Sequence, residues 1–391
     1  MRLSGNLNKY WRVGFLNMQT AAIEEAAVPS FNNTVATLQR RVGTNSNIRA
    51  IFVNQQQFKT DSTSFKLGGY NYNRVAGLDY NYSFLNNKWT GNAFFHKQFT
   101  ETNPANEIAY GYSIIYSTRK LNINWYQQGI GSGYNPAIGY VPRNGYKRIS
   151  PSGAFFIYPQ SDIINTHGPT ADIAVIWDDR YGYTDHEYTF GWATTFQSQA
   201  LLQLNYKNTY LFLFNDFDPT NSPKEDNAVK LPALTDYTYG LFSANYASDP
   251  RKEVTYEITA IAGQYFNGSR QAVTGVFNYR FQPYGIFSLD MSYNRIRLPE
   301  PYTSANIYLV GPRIDLTLTR SVFFTTFFQY NSQYDNVNIN SRFQWRFKPV
   351  SDLFIVYTDN YFYAFENTSA YSNFTPKNRA FVIKLTYWFN A

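Results

Sequence analysis

Three histidines are the residues of this sequence best suited to proton transfer or hydrolysis. They are His96, His167 and His186. None of them lies in a metal-ligand spacing such as HExxH. His186 follows Asp178, Asp179 and Asp185 in a segment that we interpret as a long loop, and Asp/His pairs serve as general acid–base groups. One hypothesis is therefore a hydrolase with an Asp/His site at the rim of the fold, although one histidine near three aspartates is common by chance.

The loop Asn215–Asn227 is a second candidate, because carboxylate oxygens can hold Ca²⁺. Its acidic residues are Asp216, Asp218, Glu225 and Asp226. Their spacing is not that of an EF-hand and Lys224 interrupts them, which favours a solvated loop over a metal site. The sequence has no cysteine, so a thiol nucleophile, a disulfide framework and a cysteine metal site are excluded. We predict no catalytic residue and no cofactor.

The elements that carry these residues follow a two-residue alternation. In Gly285–Ile296, one side of a strand carries Phe287, Leu289, Met291 and Tyr293, and the other carries Ser288, Asp290, Ser292 and Asn294. The same pattern recurs in Val254–Ala262, Val337–Phe347 and Arg379–Phe389. Successive side chains of a strand point to opposite faces, so the pattern predicts sheets with one apolar and one polar face.

The length and spacing of the alternating runs select an architecture. The runs hold roughly 10–14 residues, close to the 9–11 that a tilted strand needs to cross a bilayer. Tight turns alternate with long polar loops, as in outer-membrane barrels. The sequence therefore predicts an all-β fold: a closed antiparallel transmembrane β barrel of about 20–22 strands, with short periplasmic turns and long extracellular loops. We assign residues 1–391 to this one domain in the bacterial outer membrane.

The strand count within the chain is odd, near 21, whereas bacterial single-chain barrels have even numbers. We therefore expect a further strand, or another upstream segment, before residue 1. The chain has 391 residues, of which 19% are aromatic and only 16% charged. Tyrosine and tryptophan collect at the borders between lipid and water. We assign the residues beside tight turns to such a girdle: Trp11, Trp89, Trp345, Phe347, Phe354, Trp388 and Phe389.

Charged residues on the polar side of the strands are predicted to line a lumen. They are Glu257, Asp290, Arg313, Asp315, Arg342 and Arg346. His96 also falls on a polar side, where a hydrogen-bonding role is favoured over catalysis. The net charge of +7 is spread along the chain instead of forming a nucleic-acid patch. We expect outer-membrane lipid and lipopolysaccharide as partners, with other outer-membrane proteins or the upstream segment, and no nucleic acid.

Several segments carry a family resemblance. They are Ser4–Thr20, Thr37–Gln56, Tyr134–Pro151, Ser341–Asn360 and Asn378–Phe389. Together they resemble the C-terminal barrel, a domain of unknown function, of a Bacteroidota outer-membrane family. Its members usually carry an N-terminal sandwich similar to a family-nine carbohydrate-binding module. The resemblance implies a barrel and an attached module, and it brings no established reaction or ligand.

The alternation and the resemblance favour a pore, a transport conduit or a membrane anchor for an attached module. Loops such as Tyr134–Tyr146 and Asn215–Asp236 are long enough to fold inward and constrict a lumen. Ligand stacking stays open for the loop tyrosines Tyr134, Tyr140, Tyr181, Tyr183, Tyr302 and Tyr371. The alternatives are the rim Asp/His hydrolase and a soluble all-β carbohydrate-binding protein, whose outward faces would be polar.

Overall fold

The described part of the chain is built from β-strands. The computed structural model describes residues 1–23, 28–58, 71–102, 104–221, 228–363 and 374–389. These residues form 21 strands and contain no helix long and apolar enough to cross a membrane. The strands are β1 (Arg2–Asn6), β2 (Trp11–Thr20), β3 (Phe31–Val42), β4 (Ser46–Gln57), β5 (Tyr72–Phe84), β6 (Trp89–Thr100), β7 (Ile108–Ser117), β8 (Leu121–Ile130), β9 (Tyr146–Phe155), β10 (Ile164–Asp178), β11 (Gly182–Phe196), β12 (Leu201–Leu213), β13 (Thr235–Ala247), β14 (Val254–Tyr265), β15 (Gly268–Phe281), β16 (Gly285–Arg297), β17 (Ala305–Thr317), β18 (Val322–Asn331), β19 (Asn336–Lys348), β20 (Ser351–Tyr363) and β21 (Phe374–Thr386).

The strands fall into two compact units. The first comprises Met1–Phe156 and Thr170–Tyr188, and the second comprises Ile157–Pro169 and Thr189–Ala391. Within the first, each strand from β1 to β9 pairs antiparallel with the next, and β9 pairs with β10. Within the second, the same holds from β12 to β21. The predicted all-β antiparallel class and its strand number are confirmed. The closing contact of a barrel and the assignment of one domain stay predictions.

The connections alternate in length as predicted, with exceptions. Turns such as Gly43–Asn45 and Leu85–Lys88 are tight, and Leu85, Asn86 and Asn87 adopt positive φ, which asparagine tolerates better than most residues. At the opposite end of the strands the connections are longer, as in residues 131–145 and 214–234. Three connections at that end are nevertheless short: 179–181, 266–267 and 332–335. The second contains the turn signal Asn267–Gly268, which sequence inspection overlooked. The first shows that the interpretation of a long loop around His186 is wrong, because His186 lies in β11.

The strand registers place polar side chains beside polar ones on one face and apolar side chains beside apolar ones on the other. In the second unit, one row across five strands is Gln203, Asn245, Thr259, Thr274 and Ser292. The neighbouring row on the opposite face is Leu204, Ala244, Ala260, Val273 and Tyr293. We call these the polar face and the apolar face, and the same division runs through the first unit. A slip of one residue would exchange the two faces, so the hydrophobic pattern fixes the register.

The apolar face is exposed over most of its surface. Leu78, Phe242 and Ile258 are 59%, 65% and 46% exposed, although each lies in the middle of a strand. Along β14, apolar side chains run from Val254 to Ala262 before Gln264 begins a polar end. That is about nine residues, which span about 27 Å along a strand and about 20 Å after a tilt of about 40°. The apolar band therefore approaches the height of about 25 Å that the outward apolar band of outer-membrane barrels has.

Aromatic side chains line the short-turn end of this band. Tyr80, Tyr82 and Phe84 of β5 contact one another in succession, and Phe84 stacks on Trp89 of β6. Trp89 packs against Tyr116 of β7 at 4.7 Å between ring centroids. This arrangement matches an interfacial girdle.

The assignment of Phe354 to the girdle is wrong. Phe354 lies opposite Gln344 and Lys384, on the polar face. The sequence around it is apolar on both phases of the strand, so only the register could place its side chain.

Placing a charge on the apolar face tests whether this face contacts lipid. If it meets hydrocarbon, Ile258→Arg destabilises the folded protein in lipid vesicles by about 2–4 kcal/mol, because it places a charge near the centre of the band. Thr274→Arg is the matched control at the same height on the polar face, where we expect a change within about 0.5 kcal/mol. Urea titration of vesicle-folded protein measures both. Equal destabilisation by the two variants would contradict a lipid-facing band.

Candidate functional site

The six predicted lumen residues share the polar face of the second unit. Glu257 and Asp290 both lie opposite Val276, on β14 and β16 respectively. Asp315 of β17 and Arg342 of β19 both lie opposite Thr325 of β18. Arg313 and Arg346 lie on the same faces of β17 and β19, since each is an even number of residues from its neighbour. The strand pairing therefore brings the predicted set onto one surface, and its pore-lining role stays a prediction.

Several of these charges are neutralised by direct contacts. The Arg313 guanidinium binds Asp315 through two hydrogen bonds of 2.7 and 3.1 Å, and Thr325 donates a third to the same carboxylate at 2.8 Å. Arg346 lies 3.2 Å from Asp352 of β20. Sequence analysis missed Asp352, because β20 is apolar on both phases around it.

Two opposite charges remain exposed on this face without a direct partner. Within the described ranges, Arg342 and Asp290 make no hydrogen bond and no ion pair. They are exposed guanidinium and carboxylate groups on a hydrated surface. Such groups attract or repel passing ions, and screening confines their effect to about 8 Å at physiological salt.

A histidine and an aspartate pair on the polar face of the first unit. His96 Nε2 lies 2.8 Å from Asp79 Oδ1, while Arg49 Nε donates to Asp79 Oδ2 at 2.7 Å. Asp79 is buried, and this contact agrees with a hydrogen-bonding role for His96. Gly77 makes the contact possible, because a Cβ there would lie 2.1 Å from the imidazole carbon Cδ2. The imidazole therefore rests directly on the backbone of β5.

The loop 131–145 folds back onto the same polar face. Tyr134 is 6% exposed and packs against Val75, Ala109 and Ile130. This burial raises the pKa of the Tyr134 hydroxyl. Ligand stacking by Tyr134 is therefore excluded in this conformation, because protein atoms cover its ring.

Strand side chains also bind the backbone of this loop. The Asn135 amide donates to Gln98 Oε1 at 2.7 Å, and Asn73 donates to the Asn135 carbonyl at 3.1 Å. Gln98 in turn donates to the Gly133 carbonyl at 3.4 Å. Residues 133–135 are thus fixed over β5 and β6 both by apolar packing and by hydrogen bonds.

Arg143 fixes the far end of the loop. Its guanidinium donates to Asp185 at 2.8 Å, to Asp178 at 3.2 Å and to the buried Thr184 hydroxyl at 3.0 Å. Two of the three aspartates of the hypothetical hydrolase site, Asp178 and Asp185, are therefore engaged in a structural contact. His186 stacks on Tyr188 with ring centroids 4.2 Å apart and hydrogen-bonds the Tyr183 hydroxyl.

The loop 214–234 is anchored in a similar way in the second unit. Leu231 is fully buried among Leu213, Tyr239 and Phe266. Backbone hydrogen bonds of 2.9 and 2.8 Å join Phe217 and Leu231.

The same loop reaches a distant turn. Gln333, between β18 and β19, donates to the carbonyl groups of Asn221 at 2.7 Å and of Thr220 at 3.2 Å. The loop therefore extends over the ends of several strands of its unit.

The two described carboxylates of the acidic loop bind the loop's own residues. Asp216 accepts a hydrogen bond from the Ala233 amide, and Asp218 accepts two from Thr220, so both carboxylates stabilise the loop backbone. Glu225, Asp226 and the loop residue Tyr371 lie outside the described residues. Among the residues that the structure describes, no group of three His, Asp or Glu could hold a metal ion.

The solved structures to which the chain is distantly similar include two receptors. The ferric-catecholate import receptor Fiu from E. coli K12 aligns with 98% of this chain and 70% of its own, at 7% identity and a TM-score of 0.44. BauA, the ferric preacinetobactin receptor from Acinetobacter baumannii, aligns with 97% of this chain and 75% of its own, at 9% identity and a TM-score of 0.39. No protein-family model and no curated protein matches the sequence. At this level of similarity, neither receptor assigns a ligand to this chain.

The anchoring of loop 131–145 is testable with one pair of tyrosines. Replacing a buried aromatic side chain by alanine costs about 3–5 kcal/mol. Tyr134→Ala should therefore speed amide hydrogen exchange in residues 131–135 by about 100-fold or more, as measured by mass spectrometry in detergent. Tyr140→Ala is the control within the same loop, because Tyr140 is 88% exposed, and should leave exchange unchanged. Equal rates in wild type and Tyr134→Ala would disprove the anchor.

Proposed function

We propose that the chain is an outer-membrane β barrel that acts as a constricted conduit for small hydrophilic solutes. The observation that carries the proposal is the difference in polarity between the two faces of the strands. The apolar face is exposed and its band is about 20 Å tall, while the polar face holds charges and receives two folded-back loops. Closing the sheet would satisfy every backbone hydrogen bond in lipid and enclose the polar face.

The membrane location is supported by the exposed apolar surface. A soluble protein rarely exposes contiguous apolar patches larger than a few hundred Å². Here side chains such as Leu78, Phe95, Phe242 and Ile258 are each more than two-fifths exposed within long strands. A soluble all-β carbohydrate-binding protein would expose polar side chains at such positions. In a barrel, the short turns would face the periplasm and the longer loops the exterior.

The constriction is supported by the way the loops are held. Tyr134 and Leu231 are apolar anchors that fix the two long loops against polar-face residues of their own units. A barrel of more than about 16 strands leaves an aqueous channel unless something fills it. Folded loops would narrow that channel to small solutes. Transport is the activity that this arrangement supports best.

The family resemblance adds a second role for the same barrel. We propose that the chain is the barrel of the Bacteroidota family described above, and that an upstream segment or module is joined to it. Lipopolysaccharide and other outer-membrane proteins are the proposed partners. Such a barrel could serve mainly as an anchor, in which case its lumen would conduct no ions.

Conductance measurements distinguish the conduit from the anchor. Full-length protein inserted into planar bilayers should give small, discrete conductance steps. Tyr134→Ala should enlarge the steps by releasing loop 131–145, whereas Tyr140→Ala should not. A complete lack of conductance in wild type and in Tyr134→Ala, for protein whose gel mobility changes on heating, would reject the conduit and leave the anchor.

Charge selectivity tests the proposed lining. Arg342→Ala, alone or with Arg346→Ala, removes positive charge from the polar face and should shift the reversal potential in a salt gradient toward cation preference. Asp290→Asn should shift it the opposite way, because Asp290 is an exposed carboxylate on the same face. The change in reversal potential caused by Arg342→Ala should become smaller above about 1 M salt, because the Debye length falls to about 3 Å there. Identical reversal potentials in all variants would show that these residues do not line the conducting path.

The hydrolase alternative makes a separate prediction. If His186 were a general base, His186→Ala would lower hydrolysis of peptide or lipid ester substrates by about 100-fold or more. We expect no such activity in wild type, since Asp178 and Asp185 bind Arg143. Measurable hydrolysis that His186→Ala abolishes would restore the enzyme hypothesis.

A further inference from the structure

The apolar face of the second unit contains a groove. Its volume is about 920 Å³, within the range of about 300–1,000 Å³ that small-molecule sites occupy. Ala244, Ala260 and Ala262 are the small residues along it, and Phe242 and Tyr293 are bulky residues beside them. Small side chains between bulky ones leave an elongated apolar depression in a surface that is otherwise filled by large side chains.

The groove lies at the upper edge of the apolar band. One row of its residues, Leu204, Ala244, Ala260, Val273 and Tyr293, is apolar throughout. The next row toward the loops is Tyr206, Phe242, Ala262, Gln271 and Arg295. Beyond it, the third row contains Asn208, Gly240, Gln264, Ser269 and Arg297, as the strands continue with the same alternation. The surface therefore changes from hydrocarbon to polar within the length of the groove.

Two arginines stand at the polar end. Arg295 lies directly opposite Gln271, which lines the groove. It is exposed and makes no hydrogen bond or ion pair to any residue that the structure describes. Arg297, on the same face, donates to Asn306 at 3.1 Å, which holds its guanidinium near the polar end.

The charge of this end is not balanced on the surface itself. The three rows contain Arg295 and Arg297 and no acidic residue. An exposed guanidinium at the edge of an apolar groove is complementary to a ligand with an anionic head and a hydrocarbon tail. Guanidinium binds phosphate through charge-assisted hydrogen bonds.

We propose that this groove binds a phosphorylated lipid of the outer leaflet, the lipid A part of lipopolysaccharide. An acyl chain lies along Ala244 and Ala260, and a phosphate group contacts Arg295 with Gln271 beside it. The site rests on the proposed function, since it takes the loop end of the strands as the exterior side of an outer membrane. A second copy of the chain or another apolar protein segment would leave the arginine charge without a partner, so we do not favour it.

Native mass spectrometry of the detergent-purified full chain tests the site. Wild type should retain added lipid A, and Arg295→Gln should weaken its binding by about 10-fold, as expected for the loss of one charge-assisted contact. Ala260→Trp should abolish binding by filling the groove. Arg342→Gln removes an arginine from the polar face and Ala93→Trp adds a tryptophan to the apolar face of β6, and both controls should bind as wild type does.

The outcomes distinguish failure of the proposed lipid site from failure of the proposed membrane function. If Arg295→Gln and Ala260→Trp bind lipid A like wild type while all proteins keep heat-modifiable gel mobility, the groove proposal is rejected and the barrel stands. Equal affinity of wild type for lipid A, for its dephosphorylated form and for phosphatidylglycerol would also reject it. If wild type does not insert into vesicles at all, the proposed membrane function fails first.

Discussion

The coupling of side-chain alternation to antiparallel register is the constraint on which the structure depends. Each strand hydrogen-bonds its sequence neighbours, and each register places polar residues beside polar and apolar beside apolar. In the pairing of β15 with β16, Thr274 faces Ser292 while Val273 faces Tyr293. Because the side-chain period is two, one face of the strands is apolar and the other polar. The few buried apolar clusters lie instead where loops meet the strand ends.

Those buried clusters show how irregular segments are held over an open polar face. Tyr134 and Leu231 supply apolar burial, and Gln98 and Gln333 bind backbone carbonyl groups that the loops cannot satisfy themselves. Burial of a backbone polar group without a partner costs free energy. The side-chain amides of Gln98 and Gln333 avoid this cost and so stabilise the folded-back loops. Sequence analysis identified both loops by length and polarity. It could not identify Gln98 as an anchor, because the sequence does not show which glutamine on a polar strand face contacts a distant loop.

Much of the fold was readable from the residues because the signal is local. The alternation in Gly285–Ile296 and Val337–Phe347 assigned both faces correctly, since apolar and polar residues strictly alternate there. It failed for β20, where Phe354 and Asp352 share a face and only pairing with β19 decides which face that is. The sequence likewise could not predict contacts between distant segments, such as that of Arg143 with Asp185. Two of the three aspartates that suggested an active site, Asp178 and Asp185, bind the loop residue Arg143.

The two anchors of loop 131–145 enclose a more exposed segment. Residues 133–135 are fixed to β5 and β6, and Arg143 is fixed to Asp178 and Asp185, while Tyr140 projects outward. Residues 136–140 thus form an arch between the two anchors, and Val141 packs back against the cluster of Val75, Ala109 and Ile130. In the proposed barrel this apex faces the exterior, so its sequence can change without disturbing the two sets of contacts that would set the width of the lumen.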